Sequence, residues 1–478
     1  MKKHNLFKIL SIAILAFVVL SWIIPTGSVS GTDITKAEEL TRVGIWNVFN
    51  LFQVSLSSFS LYGIYLICVG VFYIVLNKTE VYQRMIGSIA KKLNKKSKLF
   101  IALTIVLFAI VSSVTNLGLM LFVFIPFFVS IILKFGYDKL TALISTIGAI
   151  FVGVIGSTMG YYVNTAINNV LGLKLFDNIN FKLILLIVST TLLVTYVLAH
   201  IKKLKKEKKI NVEEIKDPLL IEPDEKSKKA SWPLIIILVL VTIVTFMSAI
   251  AWYAGFEIDI FSKFHDMVLG VKIGEFKIFE SILGAGINLG YYAQYGIKAL
   301  GEWDYTDLSI ILILASLVIS LIYKVKFNDF LNSFAESLKK FIKPAFLIVL
   351  AYTLFVLNYY IPVFTTVISW FGKSFNIVTS SIVAILSSII NIDMMYVSQG
   401  TLATVSAVFD KTSLSPILSV LYQSMYGLTQ FFAPTSVLLI AGLSYLNVSY
   451  KEWLKFIWKL LIELLVIILL VLIVMMMI

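Results

Sequence analysis

Ser112-Ser113-Val114-Thr115-Asn116-Leu117-Gly118 interrupts an otherwise apolar run, and Gly156-Ser157-Thr158-Met159-Gly160 interrupts the next one. About 280 residues later the layout returns, with breaks at Asn391-Ile392-Asp393 and at Ala433-Pro434-Thr435-Ser436. The two copies span Lys98 to Leu173 and Asn376 to Asn447. A helix broken inside a bilayer strands N–H and C=O groups, which is tolerated where the broken backbone lines a cavity. Matched interruptions in two halves point to the binding site of a secondary transporter.

Composition sets the solvent. The 478 residues are 59% hydrophobic and only 14% charged, with a mean hydropathy of +0.94. Soluble domains carry about 25% charged residues, so this chain reads as an integral membrane protein. Cys68 is the single cysteine and the three histidines, His4, His200 and His265, are scattered, so neither a disulfide nor a metal cluster is expected. The net charge of +13 fits basic loops at a membrane better than nucleic acid, which is not expected as a partner. Of the 40 basic residues only Arg42 and Arg84 are arginine, a usage that suggests an AT-rich bacterial genome.

Apolar runs of about 17–25 residues and the asymmetry of basic residues give a threading. Leu6–Pro25 reads as an uncleaved first span leaving a cytoplasmic N-terminus, since it exceeds the roughly 7–15 residues of a signal-peptide core. Ile45–Ser60 reads as an interfacial amphipathic helix and Leu61–Asn77 as a returning span. Leu99–Phe135 is too long for one span and reads as a re-entrant hairpin with its tip at Ser112–Gly118. Leu140–Leu173 is a broken span and Phe181–His200 a return. A charged cytoplasmic linker covers 201–231, Trp232–Ala254 crosses, and 255–305 lies outside, with Ile278–Leu300 interfacial or partly re-entrant. Thr306–Tyr323 returns, Lys324–Lys343 is a cytoplasmic amphipathic helix, and Ala345–Pro362 goes out. Asn376–Phe409 is the second hairpin, Ser413–Asn447 a second broken span, and Trp453–Ile478 the last crossing. This places 30 of the 40 basic residues inside.

The expected fold is an all-α polytopic membrane protein with two inverted repeats, each holding a re-entrant hairpin and a broken transmembrane helix. Residues 1–200 form the first repeat, 201–231 the linker, 232–305 a connecting span with an external segment, and 306–478 the second repeat. A multi-pass plasma-membrane location follows.

The breaks carry the chemistry. Half-helix N-termini, expected near Gly118, Met159, Met394 and Val437, offer partial positive charge and free N–H donors to a carboxylate. Thr115, Asn116, Ser157, Thr158, Asn164, Asn391, Ser398, Gln399, Thr435 and Ser436 stand at or beside the breaks as neutral hydrogen-bonding groups, and preceding carbonyls are suited to Na⁺. Each such side chain also reads as a helix-packing hydroxyl or amide. Asp393, an acid at a hairpin tip, has two readings: a proton, Na⁺ or amino-group site at membrane depth, or a cap for the helix beginning at Met394. No phosphate-binding loop, zinc-protease motif or nucleophile elbow occurs, so an enzyme is not expected.

The stretch Leu61–Leu173, with Phe135-Gly136-Tyr137-Asp138 and Gly-Ser-Thr-Met-Gly-Tyr-Tyr-Val-Asn, resembles the C4-dicarboxylate anaerobic carrier-like permeases of YfcC type. Pro434-Thr435-Ser436-Val437-Leu438 and Tyr450-Lys451-Glu452-Trp453-Leu454-Lys455 resemble that family's second half. The resemblance implies an inverted-repeat carrier with paired hairpins, in a group that includes arginine–ornithine exchangers, and often a homodimer. The first tip departs from the family's Gly-x-Gly-Glu-Glu and the second from its Ser-Gly-Ser-Gly, while Gln423-Ser424-Met425-Tyr426-Gly427 lacks an expected acid. The expectation is a secondary carrier of a small carboxylate-bearing metabolite, first an amino acid, driven by Na⁺, H⁺ or exchange and needing no other cofactor. A C4-dicarboxylate carrier is the alternative, and a non-transporting scaffold or channel-like protein the reading from another class.

Overall fold

The structure, a computed structural model, describes residues 5–30, 33–206, 229–283, 287–289, 292–370, 377–392, 394–397, 401–403, 405–406 and 415–477. Asp393, Ser398, Gln399 and most of the 201–231 linker lie outside the described residues. The protein is an all-α polytopic membrane protein: among the described residues, seven helices are long and apolar enough to cross a bilayer.

Helix α1 (Asn5–Ser21) leads to a small antiparallel hairpin, Gly27–Ser30 against Asp33–Lys36. Helix α2 then runs unbroken from Ile45 to Lys78. This corrects the expected division into an interfacial helix and a span. The hydroxyls of Ser55 and Ser57 bond back to Leu51 and Val54 carbonyls, so these serines are absorbed by the helix rather than ending it. At 34 residues α2 is about 51 Å long, well beyond the roughly 30 Å apolar core of a bilayer.

Helices α3 (Val81–Leu93) and α4 (Ser97–Thr115) follow, then a 3₁₀ segment (Gly118–Val123) and α5 (Ile125–Lys134). Phe100 near the start of α4 packs on Phe128 and Phe135, and Ser97 Oγ lies 3.0 Å from Tyr137 Oη. Both ends of the segment therefore meet at one side, as a hairpin requires. Helix α6 (Lys139–Ile155) contains a π-helical turn at Ile144–Gly148, stops at Gly156, and is continued by α7 (Tyr161–Leu171) and α8 (Ile179–Lys206).

Helix α9 (Trp232–Ala249) precedes a segment of short helices and β-ribbons. There Ile278–Leu283 is a short helix and Ile287–Leu289 pairs with Tyr292–Tyr295. Gly284, Gly286 and Gly290 divide that stretch, which a helix does not favour.

Helix α10 (Tyr305–Ile322) is followed by α11, 34 residues from Phe327 to Tyr360. The expected amphipathic helix and span are again one element, which passes through Pro344. Helices α2 and α11 lie antiparallel and close. A Cβ on Gly63 would meet Ala345 Cβ at 2.6 Å, and one on Gly70 would meet Ser337 Oγ at 2.2 Å. Ser337 donates to Ile67 O at 2.6 Å, and Phe59 stacks on Tyr352 at 3.9 Å. Small residues admit the approach and rings fill the remainder.

After a short helix, α12 (Val363–Ser369), comes α13 (Ile377–Ile390); the chain turns at Asn391 and Ile392 and returns past Thr401, 2.8 Å from Ser387 Oγ. Helix α14 (Ser415–Gln430) breaks at Phe431–Ser436, resumes as α15 (Val437–Leu446), and α16 (Tyr450–Met477) ends the described chain.

Candidate functional site

At the first hairpin tip two successive departures from helical backbone set the geometry. Asn116 has φ +50° and Gly118 φ +52°, both left-handed. The turn frees carbonyls that α2 satisfies: Tyr65 Oη donates to Met120 O at 2.6 Å and Tyr73 Oη to Val123 O at 2.7 Å. The tip docks on the break between α6 and α7. Ser113 O accepts from the N–H groups of Thr158, Met159 and Gly160 at 3.0, 3.3 and 3.2 Å. Ser113 Oγ donates to Gly156 O at 2.6 Å and pairs with Thr158 Oγ1 at 3.0 Å. Three N–H groups of this break are thus used within the protein, and α7 begins at Tyr161, two residues later than the sequence suggests.

The expected site residues of this half divide cleanly. Ser157 Oγ donates to Asn116 Oδ1 at 2.7 Å, and Asn116 Nδ2 to Ser112 O at 2.9 Å. Asn164 Nδ2 reaches Ser157 Oγ at 3.4 Å and Thr158 O at 3.3 Å. Thr115 instead bonds back to Val111 O at 2.7 Å, which fits its packing reading. A Cβ on Gly160 would lie 1.8 Å from Asn116 Oδ1, so only glycine permits this docking.

In the second half Thr435 Oγ1 donates to Ile389 O at 2.6 Å, tying the break to the hairpin. Asn391 is buried and its Nδ2 contacts Ser387 Oγ at 3.4 Å. Ser436 immediately precedes α15, buried and with no hydrogen-bond partner for its hydroxyl among the described residues. The interrupted helices meet: Gln423 Nε2 donates to Ile155 O at 3.2 Å, and Phe151 packs edge-on to Phe431 at 5.1 Å.

A cavity of about 720 Å³ joins these parts. It is lined by Asn116 and Gly118 of one tip, by Ile392 and Met394 of the other, and by Tyr426 and Gln430 of α14. The first residues of α7 (Tyr161, Tyr162, Val163) and of α15 (Val437, Leu438) also face it. The N-termini of two half-helices therefore face the cavity. Gly118 opens a six-residue 3₁₀ segment, too short for a developed helix dipole, and Met394 opens a helix described as far as Val397.

Among the described lining residues none is Lys, Arg or His. Glu302 and Asp304 stand exposed at the rim, beside Tyr62, Tyr305 and Tyr352. Lys298 bridges Asp304 and Asp307 at 2.8 Å each. Burial lowers its amine's affinity for a proton, but the two carboxylates outweigh this and raise it.

Sequence reasoning missed three features. The tyrosine wall carries no spacing signal, and Gln423 drew notice only through the acid missing beside it. Lys182, counted among the outside basic residues, is fully buried in α8 and donates to Asn164 Oδ1 at 2.9 Å. At the other end of α8, His200 Nε2 lies 3.0 Å from Asp138 Oδ2, joining two residues that had been noted separately.

The fold and cavity define a polytopic membrane protein with a solute-sized chamber held between two interrupted helices. Residues 4–477 match the C4-dicarboxylate anaerobic carrier family, DcuC, and the chain belongs to it. It is a membrane transporter of that family. No curated protein matches the chain. Among solved structures it is similar to the YdaH transporter of Alcanivorax borkumensis, whose crystal structure reveals an unusual topology, with 11% identity, a TM-score of 0.41 and 98% of each chain covered.

Proposed function

We propose that this transporter is a secondary carrier of small amino acids, moving them across the plasma membrane by ion-coupled symport or exchange. The observation that carries this reading is the cavity's charge layout. Two half-helix N-termini supply the partial positive charge a carboxylate needs, while the lining holds no cationic side chain among the described residues and its rim bears Glu302 and tyrosine rings. An ammonium group suits acids and ring faces. A zwitterion therefore finds a partner for each end.

A C4-dicarboxylate is the second reading, favoured by the family description. It would bring two negative charges into a cavity whose described lining residues include no lysine or arginine to receive them. Inverted repeats would place the two interruptions in opposite senses and allow alternating access around a fixed site.

Counterflow in proteoliposomes loaded with unlabelled arginine, aspartate or succinate, with the labelled solute outside, tests the choice. Saturable exchange of an amino acid, exceeding that of succinate, is expected. Succinate exchange alone selects the dicarboxylate reading, and no exchange with any solute selects the scaffold.

A further inference from the structure

Lys182 lies in the first turn of α8, fully buried, with Asn164 Oδ1 as its hydrogen-bond partner and no ion pair among the described residues. A buried ammonium facing neutral groups within an apolar spanning helix is expensive to keep and marks ion pathways. A lysine amine, unlike a guanidinium, is stable in both protonation states.

From this amine a hydrogen-bonded chain runs to the cavity wall. Lys182 Nζ donates to Asn164 Oδ1 at 2.9 Å, Asn164 Nδ2 to Ser157 Oγ at 3.4 Å, and Ser157 Oγ to Asn116 Oδ1 at 2.7 Å. In every link the donor is on the Lys182 side. Asn116 faces the cavity.

We propose that Lys182 is the proton-coupling site of this carrier, linked to the cavity through Asn164, Ser157 and Asn116; this rests on the carrier reading. With the ammonium present, the chain runs as observed and Asn116 Oδ1 is held by Ser157. When the proton leaves to water, the neutral Nζ becomes an acceptor. Asn164 then turns its carboxamide over, donating Nδ2–H to Nζ and presenting Oδ1 to the Ser157 hydroxyl. Ser157 swings from Asn116 to Asn164, and Asn116 Oδ1 is released at the cavity wall. Linkage makes the effect reciprocal: a solute that engages Asn116 changes the proton affinity of Lys182.

The surroundings leave few competitors. Asp177 acts on Lys182 electrostatically from the preceding loop. Helix α7 adds Tyr161 and Tyr162, while α4 carries only Lys98 and α6 only Lys139, each at its first turn. On α16, Glu463 acts on Tyr196, about 21 Å along α8 from Lys182; its other ionisable groups are Tyr450, Lys451, Glu452, Lys455 and Lys459. His200 is paired with Asp138 at the far end of α8.

The test uses full-length protein in proteoliposomes, with arginine, aspartate and succinate as labelled probes, under a pH gradient, a Na⁺ gradient or none. For the probe that exchanges, the wild type should accumulate about fivefold or more under the pH gradient. Lys182→Gln and Lys182→Arg, which do not titrate, should both lose that response. A Lys182→Arg response equal to the wild type's overturns the proposal, as does a wild type driven by Na⁺ alone. Either result leaves the carrier reading standing, whereas absence of exchange removes both. Should the variants fail to fold, proton uptake or release by the wild type on adding the exchanged probe, followed with pyranine in weak buffer, decides. A proton change is expected, and none across the neutral to alkaline range overturns the proposal.

Discussion

Gly160 shows how narrowly a single residue sets this site. The nearest atom to a Cβ placed there is Asn116 Oδ1, at 1.8 Å. Gly160→Ala must push the Asn116 side chain from Ser157 and disturb the tip. We expect at least about a tenfold loss of exchange, since misplacement of about 1 Å costs rates on this scale, with protein that still inserts and elutes as one species. Asp138 is a second such residue, outside the spans. Burial raises its carboxyl, but hydrogen bonds from His200 and Thr141 outweigh that and hold it below 3.8. A carboxyl held lower in the folded chain stabilises the fold above its ordinary value, and the contribution fades as pH falls through the folded value. Asp138→Asn should therefore lower the melting temperature at neutral pH by about a degree, for about 1 kcal/mol, with the gap closing as pH falls through the folded carboxyl's lowered value. At this scale the sequence was informative where polarity is rare. Asn116, Ser157, Thr158 and Asn164 were legible because small polar residues stand out in apolar runs. Lys182 was not, because a lysine next to the start of a span looks the same whether it faces water or protein.

Among the elements, the first hairpin depends on a neighbour far away in sequence. Tyr65 and Tyr73 on α2 complete the hydrogen bonding of the 3₁₀ segment after the tip. Tyr65→Phe strands a buried carbonyl at Met120, at about 1–3 kcal/mol. The expected outcome is a melting temperature lowered by about 1–3 degrees together with slower exchange, both measured on detergent-purified and reconstituted protein. An unchanged melting temperature would show that the 3₁₀ segment needs no support from α2. The four interruptions themselves were legible, since a stretch such as Gly-Ser-Thr-Met-Gly has few ways to continue a helix. The fusion of predicted pairs into the 34-residue helices α2 and α11 was not. Amphipathic and apolar halves look like two elements when the partner that buries both is unknown. Nor does Pro344 mark a boundary: the helix continues through it.

For the molecule as a whole, hairpins, interrupted helices and cavity form one arrangement, and the threading gives it a direction. If the positive-inside reading holds, a single cysteine at Gly255 reacts with a membrane-impermeant maleimide in intact cells, and one at Lys202 reacts only after permeabilisation. The reverse pattern would turn the protein over in the membrane without altering the cavity. The architecture could be read from composition and periodicity because the bilayer restricts what a chain of this hydropathy does. The cargo could not, because neutral groups and helix ends leave no charge signature in a sequence. The central claim is that solute passes through the chamber between the two interruptions. It is tested most directly with a single cysteine at Thr165, which lines that chamber, on a Cys68→Ala background, by following its modification with a charged thiosulfonate. An exchanged solute at about ten times its Kd should slow the reaction about tenfold; a solute that exchanges freely yet leaves the rate unchanged would contradict the account.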